Sequence, residues 1–507
     1  MSVSAFVPPQ IAKEVRALAP AWAACLCVVG ANAVIHDSRL VGLGFLAYGL
    51  GSIALGAQAM GHEYSSRTLG VLLAQPFDRR RIFLLKFVVL ASMLITLTLL
   101  AGAVFLRPDE IVRPTVRPDI WRGSSTLLLA VPLGLFVAPF LTMLCRGPLA
   151  GMVFTVGAPG LLLIAGDLIG LQRYGLGGGA LIDAFKLKVL WWGTLAGSAV
   201  AALASWRMFM RLEAIDGRGA ELSLPDWLRI RPTREDTGTL TAVRKRHPAW
   251  LLLKKELRLQ QMAFVVAGLY VLGWTSLALL QASVPDLPEI PLGALSMLYF
   301  ALLAALIGSL ASAEERQLGT IEWQMLLPVP AWQQWSIKVA AVLMLAIVLG
   351  IGLPAGLWYL HAPAHRLPVQ AWREIAMILV VFTTGGLYIS SLSGSGVKAV
   401  VLSLPAAVGT IVFIRAAMVV VRMIFRYLPS APSAIVFPVS PRERFTIVAW
   451  IAFGLAAGLS ALLLRFGFAN HRSADRGRLW TQLACIASFL AGGVLVMTWI
   501  ERSVLSR

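Results

Sequence analysis

Charge is what this chain has least of. Charged side chains make up 14% of its 507 residues, against 58% hydrophobic residues, and its mean hydropathy is +0.78. A water-soluble fold needs far more polar surface, so composition excludes a soluble domain and leaves a polytopic membrane protein. Acidic residues are the scarcer sign, 25 against 44 Lys and Arg, a net charge of +19. That excess does not indicate nucleic-acid binding. The basic residues gather in short segments between apolar runs, as the positive-inside rule requires, and no basic and aromatic module stands apart from them. Cysteine is rare too: Cys25, Cys27, Cys145 and Cys485 lie in or at the edges of apolar runs, which favours buried thiols over a disulfide framework. Cys25 and Cys27 would point to different faces of a helix, a poor chelate, and no metal site is expected. There is no G-x-x-x-x-G-K-[ST] phosphate loop; Ser393-Gly394-Ser395-Gly396-Val397-Lys398 has the wrong spacing. No His-Glu-x-x-His, nucleophile motif or isolated carboxylate pair points to an enzyme, and His36 and Asp37 read as solvated loop residues.

What is abundant is the long apolar run. About 20 apolar residues cross a hydrocarbon core of roughly 30 Å, and backbone groups in lipid must be satisfied within the segment, so each run is expected to be a helix. Spans are expected near 18–36, 40–61, 83–106, 125–145, 148–170 and 186–208, then near 261–282, 291–312, 337–360, 373–393, 397–421 and 445–467, with one further run at 480–500. The expectation is all-α: a first half over 1–208, a basic linker over 209–249, a second half over 250–468, and an extra C-terminal span within 469–507. The linker carries Arg229, Arg231, Arg234, Arg244, Lys245 and Arg246, which places it and the N-terminus in the cytoplasm. On that count the loop 422–444 falls outside although it holds Arg422, Arg426, Arg442 and Arg444. Ala31-Asn32-Ala33 mimics a signal-cleavage site. The preceding Lys13-Glu14-Val15-Arg16 recurs at mid-chain as Lys255-Glu256-Leu257-Arg258, however, so the N-terminal run is expected to stay.

A short polar cassette occurs once in each half. The first runs from Glu63 through Arg67, Thr68, Leu72, Pro76 and Arg79 to Lys86; the second runs from Glu315 through Arg316, Gly319, Thr320, Glu322 and Pro328 to Lys338. Glu63 to Thr68, Pro76 and Lys86 spans 5, 13 and 23 positions, and so does Glu315 to Thr320, Pro328 and Lys338. Matched intervals predict duplication of a unit, because lipid anchoring alone requires no fixed Glu-to-Pro distance. Leu69, Leu72 and Leu73, and Leu318, Ile321 and Met325, predict a short amphipathic helix at the membrane surface, ended by the proline. Lys13, Arg16, Lys86, Lys255, Arg258 and Lys338 are expected to be interfacial anchors, with Lys86 and Lys338 reaching headgroups.

The stretch from Glu314 to Glu322, followed by Leu326-Leu327-Pro328-Val329-Pro330, resembles the loop after the second span of type-2 ABC exporter permeases. The first copy carries Arg67 where that pattern has Gly, and the helices at 10–18 and 250–260 resemble the family's interfacial connecting helix. The resemblance implies two six-helix permease halves fused in one chain, in the inner membrane of a bacterium, with the cassettes as coupling helices that dock on a cytosolic ABC ATPase, two copies per chain. ATP and Mg would then be held by that partner, and no cofactor by this chain.

Asp167 and Arg415 sit inside apolar runs at nearly matching depths, where each charge costs about 2.5–3.5 kcal/mol at mid-span. For these two charges two readings are open: a pair across the two halves near the outer end of the pathway, or two charges that reach the outer interface and face water. Two other readings remain open on sequence: a secondary transporter driven by an ion gradient, also commonly built from two repeats, and a non-transporting membrane assembly factor. Apolar spans without a polar lining favour a lipid-like or amphipathic cargo over a free ion.

Overall fold

The computed structural model describes residues 9–34, 38–65, 68–73, 78–105, 127–175, 179–211, 248–283, 290–320, 324, 329–361, 369–427, 441–472 and 478–504. The linker 212–247 and the segment 428–440 lie outside the described residues. Of the expected 422–444 loop, both flanks are helical, so the connection itself is shorter than the charge pattern implied.

The described chain is all-α, with no strand among the described residues. The helices are α1 (Pro9–Val34), α2 (Ser38–Ser65), the short α3 (Leu69–Leu73), α4 (Arg79–Phe105), α5 (Ala130–Cys145), α6 (Pro148–Tyr174) and α7 (Gly179–Met210). They continue with α8 (Pro248–Leu259), α9 (Gln261–Ser283), α10 (Ile290–Leu318), α11 (Ala331–Leu360), α12 (Val369–Leu392), α13 (Gly396–Tyr427), α14 (Pro441–Arg472) and α15 (Leu479–Val504). Among the described residues eleven helices are long and apolar enough to cross a membrane; the other two of the thirteen expected spans correspond to α2 and α5. Every residue of α2 from Leu50 to Gly61 is buried, so its sequence can carry Ser52, Gln58 and many small residues in place of lipid-facing Leu and Ile. Helix α5 is short and is interrupted by a π-helical turn over Leu133–Val137.

Contacts divide the chain into two compact units, 1–254 with 261–299, and 255–260 with 300–507. The units do not follow the expected boundary near residue 250: α9 packs on α6 of the first unit, although it opens the second half of the sequence.

In the first unit α2 is central, touching α1, α4, α5 and α6. Its approach to α5 is possible only because both partners lack a side chain. A Cβ on Gly56 would lie 1.8 Å from the Gly134 carbonyl oxygen, and one on Gly134 would lie 2.4 Å from the Ser52 carbonyl oxygen. In the second unit α10 and α12 meet in the same way: a Cβ on Gly308 would lie 2.4 Å from the Thr383 carbonyl oxygen, and one on Gly386 would lie 3.0 Å from Gly308 Cα. Gly56 and Gly308 each precede their cassette Glu by 7 positions, and Gly134 and Gly386 each follow it by 71. Small-residue contacts of this kind let helix backbones close together where lipid supplies no hydrophobic drive.

The extra helix α15 is tied into the second unit by polar groups. Gln482 and Asn470 of α14 exchange amide hydrogen bonds of 2.8 and 3.2 Å, the Tyr388 hydroxyl of α12 donates to Gln482 at 3.1 Å, and Asn470 donates to Ser391 at 3.2 Å. All four residues are buried, so each amide would be costly without its partner.

Candidate functional site

Each unit contains one buried ionic cluster, assembled from the same three elements. In the first, Lys13 and Glu14 stand in the opening turns of α1, Glu63 at the end of α2, and Lys86 two turns into α4. The Lys86 ammonium, 2% exposed, donates to Glu14 at 2.7 Å, to Glu63 at 3.1 Å and to the Ala59 carbonyl at 3.4 Å. Lys13 reaches Glu63 at 2.9 Å from the rim, and the Thr68 hydroxyl donates to the second Glu63 oxygen. Backbone follows side chain: Thr68 N–H donates to the Glu63 carbonyl at 3.1 Å, and Leu72 N–H to the Thr68 carbonyl at 2.9 Å. The cassette therefore departs from the ion cluster itself.

The second unit repeats the plan with Lys255 and Glu256 of α8, Glu315 of α10 and Lys338 of α11. Lys338, fully buried, donates to Glu315 and, at 3.0 Å, to the carbonyl of Ala311, four residues before that Glu as Ala59 is before Glu63. Lys255 donates to Glu315 and, at 2.6 Å, to Gln324 within the second cassette. Thr320 donates to the Glu315 carbonyl at 3.3 Å. Helix α10 ends at Gly319 with φ +69°, the left-handed conformation in which glycine is unstrained and helices commonly stop.

This corrects the expectation for two anchors. Lys86 and Lys338 do not snorkel to headgroups; Lys86 is drawn inward by Glu14, Glu63 and the Ala59 carbonyl, and Lys338 by Glu315 and the Ala311 carbonyl, which replace the water each ammonium loses. Lys13 and Lys255 are half-buried at the cluster rim, while Arg16 and Arg258 are exposed. Glu14 and Glu256 complete the clusters and were not among the expected site residues. Their signal was present in the sequence, a Lys-Glu pair opening each half with charges that complement a Glu and a Lys further on.

The cassettes themselves are divided. Leu72 is buried against Met60, Ile82, Phe83, Met143 and Phe209, so it fastens α3 to the unit, while its neighbour Val71 is 67% exposed. Arg79 donates to the Met210 carbonyl at the end of α7 at 2.9 Å, and Arg316 donates to the Asn470 carbonyl near the end of α14 at 3.1 Å. Both arginines thus satisfy orphan carbonyls at a helix C-terminus, an internal task. Arg67, Pro76, Glu322 and Pro328 lie outside the described residues, as does most of the expected second amphipathic helix.

Asp167 of α6 meets a cation that the sequence reading did not name. Lys186 of α7 donates to it at 2.8 Å within the first unit. Lys186 sits one helix further along the chain, and equal depth of Asp167 and Arg415 in the sequence said nothing about this nearer cation. Arg415 lies on α13 of the second unit.

Among the described residues no group of three or more His, Cys, Asp or Glu could hold a metal ion. Comparison with family models, with curated proteins and with solved structures returns no match for this chain. The helices define the class without such help: this is an all-α, multi-pass membrane protein.

Proposed function

We propose that this chain is the membrane permease of an ATP-driven exporter of the type-2 ABC class, two duplicated halves in one chain, each gripped by a separate cytosolic ATPase subunit through its cassette. The observation that carries the reading is the pair of matched ion clusters. A docking segment transmits force only if it is rigidly fastened to the spans behind it, and in each unit the cassette starts on a Glu locked to two other helices by buried charge. Coulomb attraction between groups shielded from water is far stronger than at a wet surface, which makes the junction stiff. The apolar, exposed Val71 beside the fastened Leu72 gives the first cassette a surface free for a partner. On this reading the clusters lie at the cytosolic face of a bacterial inner membrane, with the N-terminus inside.

The test is biochemical. The chain, purified with its associated proteins, should carry an ATPase whose hydrolysis rate rises when the permease is present in lipid vesicles. A hydrolysis-dead ATPase should abolish export of a lipid-like or amphipathic cargo. Export that persists with the dead ATPase and collapses when the ion gradient is dissipated would replace this reading with a gradient-driven one.

A further inference from the structure

The two ion clusters share a plan but not a charge arrangement. In the first, the acid of the leading helix has a direct partner, Glu14 to Lys86 at 2.7 Å. In the second, the corresponding acid has no cation within hydrogen-bond reach, and the group it meets is the carboxyl of Glu315. Lys338 is committed to Glu315 and to the Ala311 carbonyl, and stands 3.8 Å from Glu256 Oε1, beyond hydrogen-bond reach. Glu256 Oε2 is buried without a hydrogen-bond partner, and the residue is 2% exposed. A carboxylate so enclosed keeps its charge only if something replaces the water it has lost, and a lone buried charge neutralises instead.

The groups around it weigh the same way. Glu315 of α10 faces Glu256 and disfavours a second negative charge; Lys338 of α11 and Lys255 of α8 oppose this, but both ammonium groups are engaged by Glu315. His471 of α14 and Arg316 of α10 adjoin the Lys338–Glu315 pair. The His471 ring lies tilted against Trp335, 5.5 Å between centroids, and neither of its ring nitrogens has a hydrogen-bond partner.

We propose that Glu256 is a proton-binding site of the second unit, holding a proton taken from water as a neutral carboxylic acid while the cluster is closed, and that loss of this proton loosens α8 from α10 and α11. Ionised Glu256 would compete with Glu315 for Lys338 and repel Glu315, so the release of one proton weakens the fastening of one cassette and not the other. The proposal concerns the isolated chain and stands whether or not an ATPase is its partner.

Burial pushes the Glu256 carboxyl up to about 7, with Lys338 pulling it down by less. A carboxyl raised above its unfolded-chain value stabilises the fold fully at low pH, and that stability is lost as pH rises through the folded value. The experiment uses the whole chain in lipid nanodiscs. Infrared difference spectra between pH ~5 and pH ~9 should contain a protonated-carboxyl band that disappears on titration near neutrality, loses intensity in E256Q and keeps it in E14Q. In parallel, melting temperature should fall across the same window in the wild type and in E14Q, and fall less in E256Q, because glutamine mimics the neutral acid. An unchanged carboxyl band in E256Q, or a melting profile that falls as steeply in E256Q as in the wild type, overturns the proposal.

Discussion

Lysine decides the site at the scale of single residues, and it is also where sequence reading failed. A Lys at the end of an apolar run ordinarily sends its ammonium outward, and Lys86 and Lys338 were read that way. The interval of 23 residues back to a Glu was visible, but that these two side chains meet, and that Glu14 and Glu256 join them, depends on three helix ends converging. No local pattern encodes that convergence. Breaking such a group is costly: K86M strands two buried carboxylates on a single rim lysine and should destabilise the protein by about 3–5 kcal/mol in denaturant titrations. Replacing Lys86 and Glu14 together by Met and Gln should recover part of that loss, since fewer buried charges are left unpaired. The Asp167–Lys186 pair joins two helices long enough to span the membrane, where a charge left without its partner is costly. Reversing both charges (D167K with K186D) should restore any function lost in either single variant; restoration instead by D167R with R415D would reinstate the pairing across the two halves.

Helix existence was largely legible, because apolar runs of this length in lipid have no alternative to the helix. What the runs concealed was which helix is central. Helix α2 is rich in Gly, Ala and Ser, a composition that goes with its burial on every side from Leu50 to Gly61. The glycine crossings were equally hidden, although Gly56 and Gly308 hold the same position relative to the cassette Glu. Ala at Gly56 or Gly308 puts a methyl group against backbone that cannot swing aside, so G56A and G308A should each lower melting temperature by several degrees. Gly197, whose Cβ would meet nothing within 4 Å, is the control, and G197A should melt like the wild type. Equal melting of all three would show that the backbones are not in close contact.

For the whole molecule, the matched spacings of the sequence did not reveal the compact units. Spacing divides the chain near residue 250, whereas packing assigns α9 to the first unit. A hydropathy pattern records which segments enter lipid and carries no information on which neighbour each segment chooses there. The functional proposal rests on the cassettes, because a fixed spacing repeated in a second place needs a cause beyond membrane anchoring. Their proposed partner is what remains to be measured. The most direct measurement places a photo-crosslinking amino acid at Val71 in the first cassette and at Trp332 in the second, both exposed, in intact cells. Coupling to paired ATPase subunits predicts that both positions capture the same protein, that it carries a phosphate-binding loop, and that capture changes when ATP is trapped. Capture of lipid alone at both positions, or of an ATPase with no response to nucleotide, would contradict it.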